Sequence, residues 1–277
     1  MVKVSIITVC FNAKGKIEAT IKSVLSQDYK NLEYVIIDGA STDGTKELIE
    51  EIASKDSRIK LLSEKDSGLY EAMNKGIRES SGQLIEFLNA GDEFVSEKTV
   101  SRIAKRYEIE SQIDEAKEEE ETDTDKIIIY GDIIYMNPDG SEQKRLYGKS
   151  CGKAIYYATG DCVNHQAIFA SRQCFTGKGN DFDVNSLRIC ADRDWMMRQT
   201  KVGAKWVAIN ETVVKYQLDE KSVSAADKKR LRMEERICMK RHYPLLYTIY
   251  LIFDGMRRGA ISSRILHGVY KLLYIRK

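Results

Sequence analysis

The sequence predicts an α/β protein with a mostly parallel central sheet, a mixed second half and a helical C-terminal extension. Two observations lead there. Through the first hundred positions, short apolar runs alternate with segments whose apolar residues recur at helical spacing. Two of those runs stop at acidic turns, Asp38-Gly39-Ala40-Ser41-Thr42-Asp43-Gly44 and Asn89-Ala90-Gly91-Asp92. Open α/β sheets bind their ligands just beyond such strand ends.

Taken in order, Val4-Ser5-Ile6-Ile7-Thr8-Val9 reads as the first strand, and Ile17, Ile21, Val24 and Leu25 as the buried stripe of the first helix. Glu33 to Ile37 is the second strand. Ser41 and Asp43 can cap the next helix, which faces inward through Leu48, Ile49 and Ile52. Ile59 to Leu62 is a short third strand. Leu69, Met73 and Ile77 line a helix that Gly82 closes before the strand Leu84 to Leu88. This β-α-β-α-β-α-β order implies right-handed crossovers and a parallel sheet. A helix from Val100 to about Ile113 then runs into an acidic stretch, Glu115 to Asp125, expected to be solvated. Strands follow at Ile127 to Tyr130, Ile133 to Met136, Ala167 to Ala170, Trp206 to Ile209 and Val213 to Tyr216, with a helix around Asp194 to Lys201.

At 277 residues, with 43% hydrophobic and 31% charged, the chain can bury a sizeable core. Its net charge of +2 is unevenly spread: residues 228–277 hold 13 Lys/Arg against three acids, a local +10, leaving −8 on the remainder. The six cysteines form no CxxC pair, which argues against a zinc site and a disulfide scaffold. No signal-peptide pattern opens the sequence, and the longest apolar run, Tyr243 to Phe253, has 11 residues. A cytoplasmic chain with reduced thiols is expected.

Phosphate-cradling loops are absent. Cys10-Phe11-Asn12-Ala13-Lys14 stands where a dinucleotide fold needs G-x-G-x-x-G, and there is no Walker A sequence. The same gap disfavours a sugar nucleotidyltransferase. A bound diphosphate then needs its charge neutralised otherwise, and a divalent cation, Mg²⁺ or Mn²⁺, held by Asp92 would serve. Asp38 can accept hydrogen bonds from a base or a ribose hydroxyl; its turn also reads as an ordinary strand-to-helix connection.

Several motifs occur in order: Thr8-Val9-Cys10-Phe11-Asn12, Ile37 to Thr45, Glu64-Lys65-Asp66-Ser67-Gly68-Leu69-Tyr70-Glu71-Ala72-Met73-Asn74-Lys75-Gly76, and Leu88-Asn89-Ala90-Gly91-Asp92. Together they resemble the family-2 glycosyltransferases with the GT-A fold, strongly over residues 3–95. The resemblance resumes at Tyr130-Gly131-Asp132, His165-Gln166-Ala167 and Ala191-Asp192-Arg193-Asp194-Trp195. It implies an inverting transfer of a sugar from a nucleotide-sugar donor, most often a UDP-sugar, to a glycan or polyprenyl-linked glycan acceptor.

Residue by residue, the resemblance implies a nucleotide-sugar pocket of Thr8, Phe11, Asn12, Asp38, Ser41, Asp66, Lys75, Asn89, Ala90 and Gly91, with Asp92 as metal ligand. Relatives commonly carry acids where this chain has Asn89, Gly91 and Ala191. Asp192 aligns with the general base, although Asp192 or Asp194 could instead cap the following helix. His165, Gln166 and Trp195 are acceptor-side candidates; a structural role is equally open for His165, and a tryptophan placed like Trp195 is more often core than sugar platform. The implied division is 1–217 catalytic domain (1–99 donor half, 100–125 helix and acidic insert, 126–217 acceptor half) and 218–277 basic helical region.

Apolar faces flanked by cations in that last region suit a helix lying on a membrane. This would place the protein peripherally on the inner face of the cytoplasmic membrane. The same faces could pack on the catalytic domain or on a second subunit of a homo-oligomer. Nucleic acid is not an expected partner. The missing acids also leave open a catalytically silent nucleotide-sugar-binding or scaffold protein of the same fold.

Overall fold

A computed structural model describes residues 1–115, 126–148, 151–177, 179–219 and 223–257. The acidic run from 116 to 125 and the basic residues beyond Arg257 lie outside the described residues. The elements are β1 (Val4–Cys10), α1 (Lys14–Leu25), β2 (Leu32–Asp38), α2 (Thr45–Ala53), β3 (Ile59–Ser63), α3 (Leu69–Glu79), β4 (Leu84–Phe87), β5 (Glu93–Phe94) and α4 (Thr99–Glu115). There follow β6 (Ile127–Met136), β7 (Glu142–Arg145), α5 (Ala154–Ala158), β8 (Ile168–Ser171), α6 (Ala191–Lys201), β9 (Lys205–Gln217), α7 (Val223–Ala226), α8 (Lys228–His242) and α9 (Tyr247–Arg257).

Among the described residues the strands form one sheet in the order β3-β2-β1-β4-β8-β6-β9-β5, with β7 paired to β6. The expected parallel core is β3-β2-β1-β4. Every residue of β1 is buried, as a strand covered on both faces requires. Helix α3 lies so close to β1 that a Cβ on Gly76 would come within 2.4 Å of Ile7. β8 then pairs antiparallel with β4, setting Leu84 opposite Ser171 and Glu86 opposite Phe169. That reversal matters for the site. It brings the turn before β8, which contains His165, beside the carboxyl end of β4.

Two expectations about the second half change. The runs on either side of Gly131 form one long strand, β6, and those on either side of Asn210 form another, β9. The residues read as breaks are accommodated inside the ladder, where the β6–β9 register shifts between Tyr130 and Asp132. The cap of α2 is Gly44, with φ of 90°, rather than Ser41. Asp43 still helps, accepting from the Thr45 backbone N–H at 3.0 Å.

The C-terminal helices pack on the domain. Glu234 of α8 is fully buried and accepts backbone N–H bonds from Arg188, Ile189 and Cys190, just before α6. Asp194 of α6 accepts from His242 at 2.7 Å and from Arg241 at 2.9 Å, both at the end of α8. Cys238, Met239 and Tyr250 are buried between these helices and the domain core.

Candidate active site

A cavity of about 850 Å³ opens at the carboxyl ends of β1 and β4. One wall comes from the β1–α1 turn and the first turn of α1, a second from Asn89 and Ala90. The third joins residues 162–166, the start of α6 and α8 through Leu231 and Glu235. The antiparallel β4–β8 pairing closes the space between donor-side and acceptor-side sequence motifs.

Asp192 stands on that wall with three hydrogen-bonding contacts to the protein. Its Oδ2 lies 3.0 Å from His165 Nδ1, and its Oδ1 accepts from the Tyr70 hydroxyl at 2.8 Å and the Arg193 N–H at 2.8 Å. The other ring nitrogen of His165, Nε2, lies 3.0 Å from Asn89 Nδ2. A continuous line therefore runs from Tyr70 through Asp192 and His165 to Asn89. Burial pushes the Asp192 carboxyl up, but His165, the Tyr70 hydroxyl and the Arg193 N–H outweigh it and hold it below its ordinary value. Burial and the Asp192 charge push the Tyr70 phenol well above its own. Asp192 is thus an ionised acceptor in a partly enclosed pocket. A carboxylate in that state can take a proton from a hydroxyl brought against it.

On the donor side the expected residues divide. Phe11 lies at the cavity lip, 64% exposed, and a Cβ on Gly39 would come 3.4 Å from its ring and 2.7 Å from Asp66. Phe11 and Asp66 therefore crowd against Gly39, with Phe11 on the cavity and Asp66 outside its lining. Asn12, Asn89 and Ala90 line the cavity. Asn12 also fastens the two loops, its Oδ1 accepting from the Thr42 N–H at 2.9 Å and its own N–H donating to Ser41 Oγ at 2.8 Å.

Asp66 and Gly91 are not among the cavity-lining residues, and five further expected contacts are not placed at the wall. Thr8 is fully buried, donating to the Leu88 carbonyl at 2.6 Å with its hydroxyl 2.9 Å from that of Tyr34. Asp38 is fully buried as well; Ser63 Oγ and the Ser41 N–H donate to Oδ2 at 2.7 and 3.1 Å, and the Ser41 hydroxyl donates to Oδ1. Ser41 is consumed by that network. Lys75 is buried, bonded to the Lys65 carbonyl at 2.7 Å and to Glu64 at 2.9 Å. Trp195 is buried, stacks on Phe175 with ring centroids 4.7 Å apart and donates to the Cys174 carbonyl. The reason is shared: these side chains lie below the strand ends or on the core face of their helices.

Asp92 also turns inward. It is 4% exposed and accepts from the Gln217 N–H at 2.9 Å. Gln166, on the cavity wall, hydrogen-bonds its carboxyl. Burial raises the Asp92 carboxyl to about 7 against the pull of these partners, His165 and Lys16. Beneath it, Glu86 of β4 is fully buried, its two oxygens without a hydrogen-bond partner, and is pushed well above its ordinary value by burial and then by Asp92. Gly91 has φ of 105°, a backbone that disfavours any acid side chain there. Among the described residues no group of three or more His, Cys, Asp or Glu could hold a metal ion. The protein oxygens at this turn are few: the carboxyl of Asp92, turned inward, and the amide oxygen of Asn89, buried without a hydrogen-bond partner.

Sequence reading missed Tyr70, Lys16, Arg188 and Asp219 as cavity residues. Tyr70 lay inside a quoted motif, where its hydroxyl was the available signal. Lys16 and Asp219 carried none, because 203 positions separate two residues that form an ion pair.

The mixed sheet with a cavity at the ends of β1 and β4 defines the class, the GT-A-like nucleotide-diphospho-sugar transferase fold. The chain superimposes on TarS 1–349 of S. aureus with a TM-score of 0.65 at 14% identity, covering 99% of this chain and 75% of that one. It also superimposes on the mannosyltransferase PcManGT of Pyrobaculum calidifontis, solved with GDP-Man and Mn²⁺, with a TM-score of 0.56 at 15% identity, covering 100% and 81%. Residues 5–171 match the family model for glycosyl transferase family 2, and the chain belongs to that family. It is 41% identical over 101 residues to the Escherichia coli UDP-Glc:alpha-D-GlcNAc-diphosphoundecaprenol beta-1,3-glucosyltransferase WfaP, 36% of this chain and 39% of that protein. It is 35% identical over 98 residues to the Campylobacter jejuni GalNAc(5)-diNAcBac-PP-undecaprenol beta-1,3-glucosyltransferase, 35% of this chain and 32% of that one. These matches span less than two fifths of either relative's length.

Proposed function

We propose that the chain is an inverting glycosyltransferase that moves a sugar from a UDP-sugar to a glycan or lipid-linked glycan acceptor. The observation that carries this reading is Asp192, ionised and oriented by His165 and Tyr70 on the wall of the cavity that also holds Phe11 and Asn89. Phe11 stacks the nucleobase, with Asp66 close by across Gly39. The acceptor oxygen attacks the anomeric carbon while the bond to the diphosphate breaks on the opposite face. The hydroxyl proton passes to Asp192. A positioned base of this kind contributes roughly 10²–10⁴-fold to rate. The UDP assignment is supported by the complex of the structurally similar TarS with UDP-GlcNAc and by the UDP-Glc donor in the name of WfaP. Asp192→Asn should abolish transfer, read as released UDP, while leaving UDP binding by calorimetry unchanged. Near-normal transfer by that variant rejects the assignment.

The lipid-linked acceptor brings the membrane into the reading. Among the described residues no helix is long and apolar enough to cross a membrane. α8 presents Lys229, Arg232 and Lys240 around a groove with Met233, 51% exposed, and Leu245 just beyond it is 94% exposed. Cations with protruding apolar side chains suit an anionic leaflet. The full chain should float with phosphatidylglycerol vesicles and not with phosphatidylcholine vesicles. Lys229→Glu together with Arg232→Glu should remove that binding, and flotation unaltered by the pair discards the membrane role of α8.

A further inference from the structure

We propose that Lys16 is the cation that receives the departing diphosphate, leaving Asp219 as a donor enters. The inference rests on the nucleotide-sugar reading above. When the anomeric carbon–oxygen bond breaks, its electron pair stays on the β-phosphate oxygen, and the charge developing there needs a positive partner. The acceptor proton goes to Asp192, so Lys16 remains an ammonium throughout and acts only by charge and hydrogen bonding.

The β4 turn, where the resemblance implies a metal, offers little side-chain charge for that role here. The Asn89 amide nitrogen meets His165, Gly91 carries no side chain, and Asp92 is buried against Gln217. Lys16 lies directly over this turn: its Cδ would stand 3.6 Å from a Cβ placed on Gly91. Its ammonium pairs with Asp219, and the two side chains are 54% and 33% exposed. Ion pairs this open are weak and easily exchanged, and a lysine offers three donors to phosphate oxygens.

The other cations on the cavity wall are differently placed. Arg193 is buried and bonded to Glu235 and to the carbonyls of Gly160 and Tyr157. Arg188 stands at the opposite side, where its backbone is held by Glu234 of α8. Lys16 alone among these three is at the β4 turn.

The test is calorimetric titration of the full chain with UDP, GDP, UMP and GMP in excess chelator. Lys16→Gln should weaken the diphosphate that the wild type prefers by about tenfold or more, as expected for a charge-assisted contact, and leave the matching monophosphate unaffected. Lys16→Arg should keep most of the affinity, and Asp219→Asn should tighten diphosphate binding by freeing the ammonium. Wild-type affinity for the diphosphate in Lys16→Gln overturns the proposal. So does binding that chelator abolishes and Mn²⁺ restores. Should Lys16→Gln lose the monophosphate too, Lys16→Arg decides: retained diphosphate affinity upholds the charge role, and an equal loss overturns it. A wild-type chain that takes up neither diphosphate, in chelator or with Mn²⁺ added, instead rejects the nucleotide-sugar reading, and the role of Lys16 with it.

Discussion

Asp192 is the only carboxylate among the described cavity residues that combines an open face with a histidine and a tyrosine on its oxygens. Its protonation behaviour is set by a contest. Burial favours the neutral acid, and the bonds from His165, Tyr70 and the Arg193 N–H favour the anion more strongly. The base is therefore ionised throughout the neutral range, and kcat/KM should fall on the acid side only below the ordinary aspartate range of about 4. His165→Ala removes the largest of the opposing bonds and leaves burial in place. The acid limb should then move to higher pH, measured as kcat/KM from pH 4 to 9. An acid limb that stays where it is in His165→Ala contradicts this account.

Helix α6 serves two purposes from adjacent residues. Asp192 faces the cavity, while Asp194, two positions on and 1% exposed, faces α8 through Arg241 and His242 and its own helix through Arg198. Asp194 is thus a structural anchor, and the helical cap considered for it is not its main role. Removing one partner of a buried ionic cluster costs about 3–5 kcal/mol; Arg198 and Arg241 keep some water contact, so the lower end applies. Asp194→Asn should lower stability by about 3 kcal/mol in urea unfolding. The Asp194 carboxyl lies below its ordinary value because His242 and Arg198 outweigh burial. Its contribution is therefore present above the unfolded-state pKa and fades as pH falls through the lower folded value. The difference between the variant and wild type should narrow under acid conditions; a difference constant down to pH 3 contradicts the ionic origin.

Across the whole molecule, Glu86 and Asp92 form a second acidic pair, buried under the site and destabilising. Both have folded pKa values raised by burial. The sign is opposite to that of Asp194: the native state holds protons that the unfolded chain has released, so stability falls as pH rises above the ordinary carboxylate range. Glu86→Gln cannot ionise and should raise the melting temperature, by more at pH 8 than at pH 5. A gain that does not grow with pH assigns the effect to packing. Glu86→Leu, which also removes two buried oxygens lacking partners, should add about 1–3 kcal/mol. This pair also bears on the cation question, because Asp92 is held by the interior rather than offered to solvent.

The alternation of apolar runs and helical stripes determined the parallel sheet of the first half, because periodicity and turn chemistry are local properties of the chain, while its order β3-β2-β1-β4 is a tertiary result. Ordered motifs likewise marked a donor group from Thr8 to Gly91, Asp192 as base and His165 on the acceptor side. Only the tertiary structure decided which of the named residues reach the cavity. Thr8 and Asp38 belong to the same motifs as Phe11, yet they lie below the strand ends with their polar atoms already bonded. Burial depth and hydrogen-bond commitment are collective properties that no motif encodes. The same holds for the pairing of His165 with Asp192 and of Lys16 with Asp219. Each depends on strands or helices distant in sequence, brought together by the antiparallel insertion of β8 beside β4 and by the return of β9 past the β4 turn.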